Sequence, residues 1–285
     1  MIKLGINTDN WRHADKPVEY CLEFIAGQGV KYCELEAVGG AEFFTGLGFA
    51  PFIPLNSDPL ALRKKLDRLG LHVSQLDVSF PINRWECIDF IQRGILYSSH
   101  LGVPCVDTTD GKYKLEGVSD KEQLDLIKYH IRQCLPFAES HKVIINVEPH
   151  GPFTTRPETL LEIVEHFESE YVQINFDTGN TFIAGQDPLE FLKAVRKYVT
   201  HVHVKDVSRE LADAARGKST GISASVVFIG EGVNAPNISR CIQYLTETDW
   251  DGVFSIESDG EDNVVKSVAW LREQIEMAAS RQVTT

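Results

Sequence analysis

Residues 143–148 (VIINVE), 172–180 (VQINFDTGN), 201–206 (HVHVKD) and 252–258 (GVFSIES) are four short apolar runs that share one layout. Each alternates or stacks β-branched and aromatic residues as a buried strand does, and each carries a metal-ligand type of residue at or near its end: Glu148, Asp177, His203 and Glu257. Between them lie amphipathic stretches. Those opening at Pro157 and Pro188 place proline in the first helical turn, where its missing N–H costs no hydrogen bond. Strand followed by helix, repeated, is the pattern of βα units feeding a parallel sheet.

Working outward, the same alternation reaches both ends of the chain. It predicts strands over 2–7, 32–37, 72–78, 105–108, 143–148, 172–177, 201–205 and 252–257. Helices are expected over 17–28, 58–69, 86–101, 119–141, 157–168, 188–198, 237–246 and 262–279. Eight such units close into a (β/α)₈ barrel of the α/β class, the TIM barrel. No linker rich in Pro, Gly or Ser divides the chain, so 1–285 reads as one domain. Two connections are long, 39–57 and 206–236, and both follow strands, which places them on the catalytic face. Phe43, Phe44, Phe49 and Phe52 suit either a lid or an oligomer contact.

The 285 residues are 43% hydrophobic, enough for a large core, and carry a formal charge of −13. That charge opposes binding to phosphodiester backbones or anionic membrane surfaces, so neither nucleic acid nor membrane is expected as a partner. A neutral or locally neutralised small molecule is the easier partner. Six cysteines are scattered singly without a C-x-x-C pair and read as small buried hydrophobes of a reducing compartment, the cytoplasm. No apolar run approaches the roughly 20 residues that span a bilayer, and MIKLGIN has no long apolar leader.

Side chains at the C-terminal ends of barrel strands converge on one mouth. Glu148, Asp177, His203 and Glu257 would thus bring three carboxylates and one imidazole together, and a dication relieves the repulsion among them. Taken singly, an acid at a strand end is as well explained as a helix N-cap; the joint pattern on four successive strands carries the argument. An O₃N donor set suits Mn²⁺ first, with Mg²⁺, Co²⁺ or Zn²⁺ as alternatives, and the absence of cysteine disfavours structural zinc.

The runs VEPH (147–150), INFDTGNTFIAGQDP (174–188), HVHVKD, IGEG (229–232) and GVFSIES resemble the xylose-isomerase-like barrels, the group of sugar phosphate isomerases and epimerases. That group includes ketose 3-epimerases, inosose dehydratases and apurinic endonucleases. The resemblance implies that Glu148, Asp177, His203 and Glu257 bind one divalent metal and that Glu148 and Glu257 move protons on opposite faces of a sugar carbon. It implies a substrate contact at Arg209, six residues after the metal histidine. Two positions depart from the epimerase pattern: Asn180 stands where a histidine is usual, and Thr154 where a glutamate is.

Other residues fall toward the same mouth. His150, two residues past Glu148, points the same way if the strand geometry persists, and could serve as a general acid or base suited to neutral pH; a loop imidazole bonded to backbone is the alternative. Lys205 shares the inward face of His203 and is expected to be ion-paired or to donate to a substrate oxygen, with a Schiff base requiring a depressed pKa. His201, one layer deeper, reads as a satisfied core histidine. Asn7, Trp11 and His13 would line the mouth, Trp11 against the C–H face of a sugar or as a barrel cap. Glu36, Asp77 and Asp107 end strands two to four as substrate contacts or N-caps. IGEG lacks the P-loop pattern, and no nucleotide cofactor is expected.

The leading expectation is a metal-dependent isomerase or epimerase that abstracts a proton beside a coordinated carbonyl of a keto-sugar. A lyase that dehydrates an inosose or cleaves a 3-keto-glycoside shares the first step. An endonuclease fits poorly with the acidic charge and few mouth histidines, and a non-catalytic sugar-binding barrel has no need of a carboxylate on each side of a carbon.

Overall fold

A computed structural model describes residues 1–39, 50–218, 220–221 and 225–283. The strands are β1 (Ile2–Asn7), β2 (Tyr32–Glu36), β3 (His72–Asp77), β4 (Cys105–Thr108), β5 (Ile144–Val147), β6 (Val172–Asp177), β7 (Val199–Val204) and β8 (Gly252–Ile256). All pair in parallel with their sequence neighbours, and β8 returns to β1 to close the barrel. The helices are α1 (Val18–Gly27), α2 (Pro59–Leu69), α3 (Cys87–Leu101), α4 (Asp120–His141), α5 (Pro157–Glu165), α6 (Thr178–Ile183), α7 (Pro188–Val195), α8 (Arg209–Ala215), α9 (Ala235–Glu247) and α10 (Glu261–Val283). The expected barrel is the observed one, a single domain.

The core divides by strand alternation. On β6 and β7, Val172, Ile174, Phe176, Val202 and Val204 face the helices, with Phe176 against Phe191 of α7 at 5.9 Å between ring centroids. Their alternates Asn175, Asp177, His201 and His203 enter the barrel, where they meet Glu34, Gln75 and Asn146. The barrel interior is thus polar and hydrogen-bonded, and the apolar core is the layer between strands and helices.

Local chemistry sets the ends. Asp58 and Asp187 accept N–H bonds of the first turns of α2 and α7, Ser119 and Glu122 form a capping box on α4, and Gly70 ends α2 in the left-handed region at φ 67°. Strand β7 starts at Val199, two residues before the expected 201, because Val199 already pairs with Ile174 of β6; Trp250 Nε1 donates to its carbonyl at 2.8 Å. The 206–236 segment is not loop throughout: it contains α8, capped by Ser208. Residues 40–49, with Phe43, Phe44 and Phe49 of the expected lid or oligomer contact, lie outside the described residues, while Phe52 is half-buried. The six cysteines are buried and form no disulfide among the described residues, and no helix of these residues is long and apolar enough to cross a membrane.

Candidate metal centre

Strand ends β5 to β8 deliver the four expected residues to one point. His203 Nδ1 lies 2.9 Å from Glu148 Oε1, 3.2 Å from Glu257 Oε1 and 4.0 Å from Asp177 Oδ2. All four are nearly or wholly buried. Asp177 is both an N-cap and a member of the cluster: Oδ1 accepts the N–H groups of Gly179 and Asn180, which leaves Oδ2 to face Lys205 and His203. The two readings of a strand-end acid therefore apply to different oxygens of the same carboxylate.

The opposite ring nitrogen has a partner that strand-end reasoning passes over. His203 Nε2 donates to Glu34, 2.9 Å from Oε1 and 3.0 Å from Oε2. Glu34 sits inside β2, not at its end, and so lay outside a search for acids at strand termini; its signal in the sequence is a charged residue at an interior strand position, which must have a partner when buried.

Three carboxylates around one imidazole leave the centre short of positive charge. Burial pushes the Glu148 carboxyl up to about 8 despite the pull of His203. Burial also works against the His203 cation, yet Glu257 and Glu34 hold its pKa well above the usual imidazole value. Glu257, which burial alone would raise, is kept well below the ordinary carboxylate range by His203 and Lys205. Protons and one lysine are here balancing a donor set of three oxygens and one nitrogen. Those donors fit a divalent cation, which would take the place of the protons.

Lys205, just past β7, reaches Glu257 Oε2 at 2.5 Å, Asp177 Oδ2 at 3.2 Å and Asn180 Oδ1 at 3.3 Å. Burial opposes its charge, but Asp177, Glu257 and Glu148 raise its pKa above the ordinary lysine value. These carboxylates favour the ammonium form, in the opposite direction to the depressed pKa that a Schiff base needs. Asn180 joins the same set, donating to Glu148 Oε1 at 3.3 Å.

A small cleft open to solvent lies above the cluster, and Glu148, His150, His203, Lys205 and Glu257 line it together with Glu36, Asp77, Asp9 and Arg12. His150 is there as expected, but β5 ends at Val147 and a turn places it: its N–H donates to Thr154 Oγ1 at 2.9 Å. Burial, then Lys205, lowers its pKa to about 3, so it is a neutral imidazole rather than an acid tuned to neutral pH. Thr154 also donates to Asp110 Oδ1 at 2.7 Å and is fully buried, so it ties down the loop and does not contact substrate space.

Three expected contacts lie elsewhere. Trp11 packs edge-on against Phe24 in the core with its indole N–H on Glu261, because the turn Thr8–Trp11 directs it away from the mouth. His13 is exposed beyond that turn, at φ 63°. Arg209 is the first residue of α8 and points to solvent. In their stead the first loop supplies Arg12, held by both oxygens of Asp9. Of the remaining acids, Asp77 is pushed up to about 6 and Glu36 well above its usual value, both chiefly by burial. His201, lowered to about 4 by burial, donates and accepts within the interior network as a core histidine.

Comparison with known proteins places this geometry. The chain is 22% identical over 279 residues to an inosose dehydratase of Bacillus cereus (strain AH820), covering 90% of each chain. Its fold matches a D-tagatose 3-epimerase-like protein at a TM-score of 0.77, with 22% identity and coverage of 98% and 99% of the two chains. It matches the IOLI protein, whose crystal structure has a binding zinc atom, at a TM-score of 0.73, with 18% identity and coverage of 98% and 99%. The family described as xylose isomerase-like TIM barrel matches residues 22–274, and the chain belongs to that family.

Proposed function

We propose that this chain is a divalent-metal-dependent enzyme that removes a proton from the carbon beside the carbonyl of a small polyhydroxy ketone, with isomerisation or epimerisation of a keto-sugar as the outcome. The observation that carries the reading is the commitment of His203: one nitrogen is held by Glu34 while the other faces oxygens of Glu148, Glu257 and Asp177. Glu148, Asp177, His203 and Glu257 would hold the ion, Mn²⁺ in the first instance, with Mg²⁺, Co²⁺ or Zn²⁺ as alternatives, and a zinc atom is named for one structural neighbour. When bound, such a cation supplies Lewis-acid stabilisation of negative charge on substrate oxygens.

The chain's own groups divide the remaining work. Glu148 and Glu257 stand on strands β5 and β8, and each offers a carboxylate to the cleft, so one can take the proton and the other return it from a different side. Lys205 orients Glu257 through Oε2 and presents an ammonium to the same space. Arg12, fixed by Asp9, is placed to bind a substrate hydroxyl. The net charge of −13 favours a small sugar or polyol over nucleic acid.

A second outcome, elimination of water from an inosose or opening of a 3-keto-glycoside, shares the first step. The inosose dehydratase relative favours it, as does the presence in the cleft wall of Lys205, a group able to donate to a departing oxygen. Incubation of metal-loaded protein in D₂O with ketoses, inososes and 3-keto-glucosides, followed by NMR, separates the outcomes. Deuterium at the carbon beside the carbonyl with an epimer or isomer supports the first reading, and water or aglycone release the second. No exchange on any member of the panel would count against proton abstraction altogether.

A further inference from the structure

We infer that Glu34 is the positioning residue that makes His203 a metal ligand: by accepting the Nε2 proton it commits Nδ1 to the centre formed by Glu148, Asp177 and Glu257. This rests on reading that centre as a metal site. Glu34 is fully buried, is not among the residues lining the cleft, and has both oxygens within 3.0 Å of Nε2. Its hydrogen-bonded link to the centre is therefore the imidazole, while its charge also acts through space on the cleft carboxylates Glu36 and Asp77.

The interior of the barrel is arranged to hold Glu34 in that task. Gln75 Nε2 donates to Glu34 Oε1 at 2.8 Å, Asn146 Nδ2 donates to Gln75 Oε1 at 2.6 Å, and the Thr200 hydroxyl donates to Asn146 Oδ1 at 2.7 Å. Every donor in this chain points toward Glu34, which sets the sense of both amides and ends on a group that only accepts. The β2–β3 pairing shifts register between Cys33 and Glu34, the kind of irregularity that re-aims a side chain near a site. A carboxylate buried in this way is costly unless satisfied, and here Gln75 and His203 satisfy it. Carboxylate, imidazole and metal in line is a recurrent arrangement that fixes the ring and raises its basicity as a ligand.

Two variants of the full-length chain test this. Glu34→Gln keeps an accepting oxygen but loses the charge; Glu34→Leu loses both. Zn²⁺ and Mn²⁺ affinities from competition with a chromogenic chelator are expected to fall by about 10-fold for Glu34→Gln and about 100-fold for Glu34→Leu, with unchanged far-UV circular dichroism. The His203 Nε2–H resonance in long-range ¹H–¹⁵N spectra is expected in metal-free wild type and displaced in both variants, a change that a residue serving only to fill the interior would not cause. Wild-type affinity together with an unmoved Nε2–H signal in Glu34→Leu overturns the inference. Should Glu34→Leu fail to fold, the same result in Glu34→Gln overturns it. A wild-type chain that takes up neither ion refutes the metal-centre reading instead, and the Nε2–H comparison on metal-free protein still decides the part of Glu34.

Discussion

Glu257 divides its two oxygens between a lysine and a histidine: Oε2 takes Lys205 at 2.5 Å, while Oε1 faces His203 and also accepts from Asn7 at 3.0 Å. A neutral amide in its place keeps most of this shape but cannot move a proton. Glu257→Gln is therefore expected to lower turnover at least about 100-fold in the NMR assay while the melting temperature stays close to wild type, and full turnover would refute the acid/base role. Asp177, His203, Glu148 and Glu257 were legible together, as a pattern at or near the ends of four successive strands, and not one by one. Glu34 was not, since nothing local marks an interior glutamate as the partner of a histidine 169 positions away. Trp11 and Arg12 show the same limit from the other side. Both follow β1, but a four-residue 3₁₀ turn decides which enters the core and which the cleft.

At the scale of the element, two buried aspartates hold the loops that carry cleft residues. Asp110 accepts from the N–H groups of Gly151, Phe153 and Thr154 and from the Thr154 hydroxyl, and so shapes the turn bearing His150. Asp206 accepts from Val207, Gly230, Gly232 and Asn234, which explains IGEG as a backbone clamp around a carboxylate. Asp206→Ala leaves these donors without their acceptor and is expected to destabilise the chain by about 3 kcal/mol in urea titration, with the metal affinity of the remaining folded protein little changed. A loss below about 0.5 kcal/mol would mean that water replaces the carboxylate. Gly179 acts by close approach: a Cβ there would meet Lys205 Cβ at 2.6 Å. Gly179→Ala should displace Lys205 and cost about 10-fold or more in kcat with the fold kept, since small misplacements at a reacting centre are expensive. Unchanged kcat would show that Lys205 can shift without consequence. The contact between this glycine and a lysine just past the next strand exists only once β6 and β7 are paired.

Across the whole molecule, the candidate metal centre joins the ends of β5, β6, β7 and β8 around one imidazole, so ion binding should stabilise the barrel as a unit. At a cation concentration 100 times its dissociation constant the gain is about 2.7 kcal/mol, a rise of roughly 5 °C in melting temperature for a chain of this size. Differential scanning calorimetry with and without a chelator checks this, and identical curves would argue against a site in the barrel mouth. The alternation of apolar runs with amphipathic helices determined the barrel by itself, because a parallel strand must bury both faces and a helix must bury one, and eight such pairs close on themselves. It also put Glu148, Asp177, His203 and Glu257 on one rim, because strand ends in a barrel share it, though Glu36 and Asp77 share that rim too. What only the tertiary structure decided is everything that depends on distance across the barrel. That Glu34 backs the far nitrogen of His203 and that Lys205 pairs with Glu257 and Asp177 follow from packing between strands remote in the chain. Local pattern carries the period of a strand, but the field and the partner felt by a buried charge are set by neighbours that only closure of the barrel brings near.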